Sequence, residues 1–227
     1  MTMAAMTVYL DHNATTEPAP EVVREMVDAL QMAWGNPSST HEPGQAARRL
    51  LADARARVAS FLGCQGAELV FTSGATESNH TAVLGALAQQ AKAGRHGFVL
   101  STVEHPGLLA LADKLEAQGV PVGRIRVDAQ GRLDLEHARA LIGADTALVS
   151  VMGANNETGV VMPVAEVAAL AHGAGTWLHV DATQLVGKAP LDFAKSGIDL
   201  MSVSAHKLHG PKGTGALVIR KGLALPG

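Results

Sequence analysis

Apolar residues in this chain follow two alternating patterns. Short apolar runs of roughly four to eight residues predict buried strands, and longer segments with apolar residues three or four positions apart predict helices. Seven strands are predicted, over residues 68–72, 98–102, 123–127, 146–152, 177–181, 198–202 and 215–220. Helices are predicted over residues 20–34, 42–62, 81–92, 108–118, 134–142 and 164–174.

The regular alternation of strands and helices predicts an α/β fold. Strands separated by helices favour a mainly parallel sheet with helices on both faces and right-handed crossovers. At 227 residues the chain is long enough to bury a large core in one domain. We find no internal repeat and no low-complexity linker.

Composition narrows the class of protein. Hydrophobic residues make up 47% of the chain and charged residues 17%, which excludes a disordered chain. The net charge of −3 gives no reason to expect a nucleic-acid partner. A single cysteine excludes an intrachain disulfide and indicates a reducing, cytoplasmic location. No apolar run reaches the length of a membrane span, and residues 1–7 lack the basic start of a signal peptide.

Lys207 is the most informative residue. It follows an apolar stretch, stands after Ser204 and His206, and precedes a turn rich in glycine and proline. A lysine held among cationic or apolar groups loses proton affinity and becomes a usable nucleophile toward a carbonyl cofactor. The alternative, taken alone, is a solvated loop lysine.

Asp181 ends another predicted strand. A carboxylate in that position faces the crevice where open α/β sheets bind ligands. It can pair with the ring nitrogen of pyridoxal phosphate, whose protonated ring is the electron sink. Capping of a following helix is the alternative role for Asp181.

A third segment, Phe71 to His80, has a strand, a turn of small residues and the approach to a helix. Free N–H groups and the positive end of the helix dipole attract anions there, so a phosphate is predicted at Ala75 and Thr76. The alternative is an ordinary helix cap formed by Ser73 or Thr76, with Glu77 nearby.

Two weaker patterns point to other ligands. The run Gly210 to Gly215 has a faint resemblance to a nucleotide phosphate loop but lacks its ending and its following helix. His206 and His209 are spaced like metal ligands, without the further ligands that a zinc site requires. We therefore expect neither a nucleotide nor a metal.

The order of phosphate turn, acid and lysine resembles that of fold-type I pyridoxal-phosphate enzymes. In detail the chain resembles the class V aminotransferase family, and within it the cysteine desulfurases of the nitrogen-fixation type. Six separated segments carry the resemblance, at residues 9–16, 35–41, 71–80, 103–106, 152–159 and 202–213. Departures from the family pattern include His12, His80 and the Pro106-Gly107-Leu108 run.

The resemblance implies roles for further residues. His105 would stack on the cofactor ring and move protons together with Lys207, Asn155 would lie near the phenolic oxygen, and Gln184 would donate to that oxygen. Ser204 and His206 would bind the phosphate. A loop histidine, a turn and the first turn of a helix are the alternatives for His105, Asn155 and Gln184 respectively.

The resemblance also implies the wider function. The expected cofactor is pyridoxal 5'-phosphate, the expected substrate is L-cysteine, and the products are L-alanine and protein-bound persulfide sulfur. Selenocysteine lyase, an aminotransferase for small amino acids, and an inactive cofactor-binding protein are the alternatives. A homodimer and a sulfur-acceptor scaffold protein are expected partners.

Family members are longer than this chain. The resemblance therefore implies an N-terminal segment at residues 1–15 and a pyridoxal-phosphate-binding large domain at 16–227, without the C-terminal small domain. That small domain would carry the persulfide cysteine and the arginine that grips the substrate. Cys64 lies elsewhere and is interpreted as structural.

Overall fold

A computed structural model describes residues 8–226, so the expectation for residues 1–7 lies outside the described part of the chain. The helices are α1 Pro20–Met32, α2 Glu42–Leu62, α3 Ala75–Gln90, α4 Pro106–Ala117, α5 Leu135–Leu141 and α6 Val164–Gly173. The strands are β1 Leu69–Thr72, β2 Gly97–Ser101, β3 Val122–Ile125, β4 Thr146–Met152, β5 Trp177–Asp181, β6 Leu200–Ser204 and β7 Gly215–Ile219.

All seven strands form one sheet in the order β1-β7-β6-β5-β4-β2-β3. The pairs β2–β3, β2–β4, β4–β5 and β5–β6 are parallel. Strand β7 runs antiparallel to both of its neighbours, β1 and β6. The prediction of a mainly parallel seven-stranded sheet is confirmed.

Successive residues of the strands point to opposite faces of the sheet and into two separate cores. Leu148 of β4 packs with α3 and α4, against residues such as Ala82 and Leu108. Its neighbour Val149 packs on the other face with α6 residues such as Ala171. Because each face needs apolar cover, the strands read as continuous apolar runs. The prediction of helices on both faces is confirmed.

Helix α1 differs from the other helices because none of its residues is buried. The predicted apolar stripe is present, but Val23, Met26, Val27 and Leu30 are exposed. Helix α2 has clear ends: the His41 side chain accepts from the Gly44 N–H at 3.3 Å, and Gly63 ends it with a left-handed φ of 71°. Within residues 8–226, no helix combines the length and the apolar character needed to cross a membrane.

The predicted boundaries differ from the observed ones by up to two residues, and by six residues at the start of α3. Helix α3 begins at Ala75, six residues before the predicted start, because its polar first turns hide the apolar spacing. Strand β6 begins and ends two residues later than predicted. The segment at residues 9–16 resembles an opening strand followed by an active-site loop in the family. Here it has no strand and is a loop throughout, in which the Ala14 and Thr15 N–H groups both donate to the Asp11 carbonyl.

Strand β7 packs tightly against the turn before α3. Gly74 has a φ of 152°, and a Cβ placed on Gly215 would lie 2.6 Å from the Gly74 Cα and 2.7 Å from the Val203 carbonyl oxygen. Both obstructing atoms are backbone, which cannot rotate away. The absence of a side chain at Gly215 therefore fixes the position of the α3 N-terminus.

We expect Gly215→Ala to lower the free energy of unfolding by about 1–3 kcal/mol, because the added methyl group overpacks this contact. Urea denaturation measures the change. Gly173→Ala is the matched control, since its Cβ would meet nothing within 4 Å at the end of α6. Equal stability of the two variants would contradict the close approach.

Candidate active site

The carboxyl ends of six strands lie at one edge of the sheet. Strands β2, β3, β4, β5 and β6 are parallel, and β1 shares their direction because β7 lies antiparallel between β1 and β6. A cavity of about 910 Å³ opens at this edge. All nine predicted site residues line it: Ala75, Thr76, His105, Asn155, Asp181, Gln184, Ser204, His206 and Lys207.

Lys207 lies in a short 3-10 turn, Ala205–Lys207, directly after β6. Its Nζ donates to the carbonyl oxygens of Asn13 at 2.5 Å and Ala14 at 2.7 Å. Burial lowers the pKa of the Lys207 amine and the nearby Lys188 lowers it further, against the opposing effects of Asp11 and Asp181. A larger neutral fraction makes the amine a better nucleophile.

Asp181, the last residue of β5, is 6% exposed. One carboxylate oxygen accepts from the Asn79 Nδ2 at 2.7 Å and the other from the Thr183 N–H at 3.1 Å. The alternative of a helix cap is wrong, because residues 183–188 form turns and no helix follows. The carboxylate is thereby held in one orientation at the cavity wall.

Asn79 was not predicted as a site residue. It lies one helical turn after Thr76, on the buried side of α3, and its Oδ1 is buried without a partner. The spacing of four residues from Ala75 was the available signal, since such residues share a helix face. A buried side-chain amide requires hydrogen-bond partners, and Asp181 supplies one for the Asn79 Nδ2.

The N-terminus of α3 also lines the cavity. No side chain caps it, and its first N–H groups have no partner within the helix. The Ser204 side chain is close, since a Cβ on Gly74 would lie 3.8 Å from its Oγ. The alternative of an ordinary cap is therefore wrong for Ser73 and Thr76, and Glu77 instead accepts from the Ser73 N–H at 2.6 Å.

His206 and His105 present imidazoles to the cavity. The His206 Nδ1 bonds the Thr15 hydroxyl at 3.1 Å, and burial together with Lys207 and Lys212 lowers its pKa. The His105 Nδ1 accepts from the Gly107 N–H at 3.1 Å at the start of α4. Its Nε2 therefore carries the proton of the neutral ring.

Asn155 and Gln184 also bond the surrounding loops. The Asn155 Oδ1 accepts from the Glu157 and Thr158 N–H groups at 3.0 and 2.9 Å, which matches the turn alternative. The Gln184 Nε2 donates to the Asn13 carbonyl at 2.8 Å, in a turn and not in the helix considered as its alternative. Their contacts with a cofactor stay predictions.

The chain is similar to known proteins in sequence and in fold. The sequence profile described as Aminotransferase class-V matches residues 8–225.

The chain belongs to the class V aminotransferase family.

Its relatives include a cysteine desulfurase of Cereibacter sphaeroides, 52% identical over 95% of this chain and 56% of that protein. The cysteine desulfurase NifS of Azotobacter vinelandii is 46% identical over 95% of this chain and 53% of that protein. A solved structure titled NifS-like protein has a TM-score of 0.92 and 39% identity, over 97% of this chain and 60% of that one. The chain therefore spans about half the length of the curated relatives it matches.

Glu104 is a second residue at the cavity that the prediction missed. It precedes His105, lines the cavity and is 4% exposed. Its Oε1 accepts from the Met152 N–H at 2.8 Å and from the Ser101 hydroxyl, while Oε2 is buried without a partner. Burial, with a smaller contribution from Asp181, raises the pKa of the Glu104 carboxyl to about 8. The group is therefore mainly protonated at neutral pH.

Cys64 lies outside the cavity, just after the C-terminal glycine of α2. Its N–H donates to the Ala59 carbonyl at 2.9 Å, and the side chain packs against the core. Burial and the charge of Glu68 raise the pKa of the thiol to about 11. Low thiolate content fits the interpretation of Cys64 as structural.

We expect the pH dependence of stability to reveal the raised pKa of Glu104. Its folded-state pKa is raised, so its contribution is fully present below the ordinary value of 4.5 and is lost as the pH rises through about 8. Glu104→Gln mimics the protonated acid and removes this loss. Between about pH 5 and 8 the free energy of unfolding should fall more in the wild type than in the variant.

Urea denaturation at several pH values measures this difference. Glu166→Gln, at an exposed position in α6, is the control and should follow the wild-type curve. Parallel curves for the wild type and Glu104→Gln would show that Glu104 is ionised in the folded protein.

We expect iodoacetamide to alkylate Cys64 at least about tenfold more slowly than glutathione at neutral pH, because so little thiolate is present. Mass spectrometry of the intact chain follows the reaction. Unfolding in urea should remove the difference. Equal rates in the folded state would rule out the protected thiol.

Proposed function

We propose that this chain forms the pyridoxal-phosphate-binding part of a cysteine desulfurase, which converts L-cysteine to L-alanine and transfers the sulfur to a protein thiol. One observation carries the proposal. A lysine amine, a buried carboxylate and an uncapped helix N-terminus line one cavity, although they come from three separate segments of the chain. The relatives named cysteine desulfurase support the choice of reaction.

The donor set fits pyridoxal phosphate. The free N–H groups of α3 and the hydroxyls of Thr76 and Ser204 suit a phosphate dianion, with His206 beside them. Asp181 offers a fixed, buried carboxylate to a pyridine nitrogen. The cavity of about 910 Å³ has room for both cofactor and amino acid.

When bound, pyridoxal phosphate supplies an aldehyde that condenses with amines and a ring that accepts electron density. The residues of this chain do the rest. Lys207 presents an amine whose proton affinity is reduced, Asp181 would accept a hydrogen bond from the protonated ring nitrogen, and His105 would hold a proton on Nε2 at the cavity wall. We propose that Asn155 and Gln184 would contact the phenolic oxygen of the cofactor ring.

The proposal also covers the substrate, the domain bounds and the partners. A solved structure titled SspA in complex with cysteine has a TM-score of 0.90 and 32% identity, which supports L-cysteine as the substrate. We infer a large domain over residues 16–227 with an N-terminal segment at 1–15. A cytoplasmic homodimer that delivers sulfur to a scaffold protein completes the proposal. The high pKa of Cys64 argues that another cysteine carries the sulfur.

We expect Lys207 to form a covalent adduct with pyridoxal phosphate that borohydride fixes. Peptide mass spectrometry should place the reduced cofactor on Lys207 in the wild type, and Lys207→Ala should lose it. Lys195→Ala, at an exposed lysine that does not line the cavity, should keep the adduct.

L-cysteine added before borohydride should lower the yield of the Lys207 adduct, because the substrate amine competes for the cofactor. L-alanine and other small amino acids are the comparison. An adduct on Lys207 that only an amino acid other than cysteine displaces would overturn the proposed substrate, and no adduct on Lys207 would overturn the cofactor site.

A further inference from the structure

A second lysine lies beside the proposed reacting amine. Lys188 follows Gln184 by four residues, in the turns after β5. Its Nζ donates to the Gln184 Oε1 and lies 3.4 Å from the Asn13 Oδ1. Neither partner is charged, so no carboxylate neutralises Lys188 through a hydrogen bond among the described residues.

Asn13 connects this lysine to Lys207. Its backbone carbonyl accepts from the Lys207 Nζ at 2.5 Å and from the Gln184 Nε2 at 2.8 Å. Its side-chain Nδ2 donates to the Asn156 carbonyl at 3.0 Å, which ties it to the loop after β4. A displacement of Lys188 would therefore reach Lys207 through one intervening residue.

The charges around Lys207 are mixed. Asp11, in the N-terminal loop, and Asp181, at the end of β5, favour the charged amine, whereas Lys188 opposes it. His206, adjacent in sequence, has a pKa lowered by burial and by Lys207 and Lys212. Burial also lowers the pKa of Lys188. Two ammonium groups near one another disfavour each other's charged form.

We propose that Lys188 is a positioning residue for Lys207: it holds Asn13 and Gln184 in place and keeps a positive charge beside the reacting amine. The inference depends on the proposed function, which assigns Lys207 as that amine. In this arrangement the loop after β5 would supply both the contact to the phenolic oxygen of the cofactor, through Gln184, and the positive charge that lowers the pKa of Lys207.

Competitive acetylation of the chain, without any cofactor, tests this role. A trace of acetic anhydride labels amines in proportion to their neutral fraction, and mass spectrometry of the Lys207 peptide over a range of pH gives its midpoint. We expect Lys188→Met to move the midpoint upward and to slow labelling of Lys207 about threefold at neutral pH, because a like charge has been removed.

Two further variants make the test decisive. Lys188→Arg keeps the charge and should restore the wild-type midpoint, whereas Lys188→Gln keeps a donor without the charge and should behave like Lys188→Met. Lys195→Met is the matched control, since this exposed lysine pairs with Asp192. Circular dichroism confirms that each variant is folded, as expected for exposed positions.

An unchanged midpoint in Lys188→Met, or a downward shift, would overturn the inference. The outcome is independent of pyridoxal phosphate. If the cofactor adduct fails to form while the midpoint shifts, the proposed function is wrong and the coupling between the lysines stands. If the adduct forms and the labelling midpoint of Lys207 is the same in Lys188→Met as in the wild type, only the role of Lys188 is wrong.

Discussion

The direction of the strands is the constraint on which the site depends. Insertion of β7, antiparallel to both neighbours, between β1 and β6 lets β1 end at the same edge as the parallel strands. If β1 ran in the opposite direction, the helix that follows it would begin at the other edge, away from Lys207 and Asp181. The close approach of Gly215 to Gly74 then fixes how far that helix N-terminus lies from β6.

A chain of buried polar side chains runs beneath this edge. His179 is fully buried between the hydroxyls of Ser150 at 2.8 Å and Ser202 at 2.9 Å, so each ring nitrogen has a partner on a neighbouring strand. Burial lowers the pKa of His179 to about 4, which keeps the ring neutral. The two buried titratable neighbours of Asp181 in the described part of the chain, His179 and Glu104, are therefore both mainly uncharged at neutral pH.

Much of this could be predicted from local pattern. The strands β4 and β5 were predicted to the residue, because uninterrupted apolar runs between polar turns have few alternative interpretations. The order of the motifs predicted that Ala75, Asp181 and Lys207 lie at one edge of the sheet, because residues that follow parallel strands lie at the same edge. The start of α3 was misplaced because its first turns face the site and carry polar residues where apolar spacing was sought. Glu104 and Asn79 were missed for a related reason: their partners, Met152 and Asp181, are remote in sequence, and no local pattern shows that a polar side chain is buried.

The loop from Asp11 to Thr16 gives the site a further property. Thr16 is anchored at both ends of the lysine turn, through the His206 carbonyl at 2.8 Å and the His209 N–H at 2.7 Å. Asn13 and Ala14 are thereby held over the Lys207 amine as a pair of carbonyl acceptors. An incoming aldehyde must compete with these two oxygens for the same nitrogen. A reaction at the Lys207 amine therefore requires that its hydrogen bonds to the N-terminal loop are broken first, so the position of this loop controls access to the nucleophile.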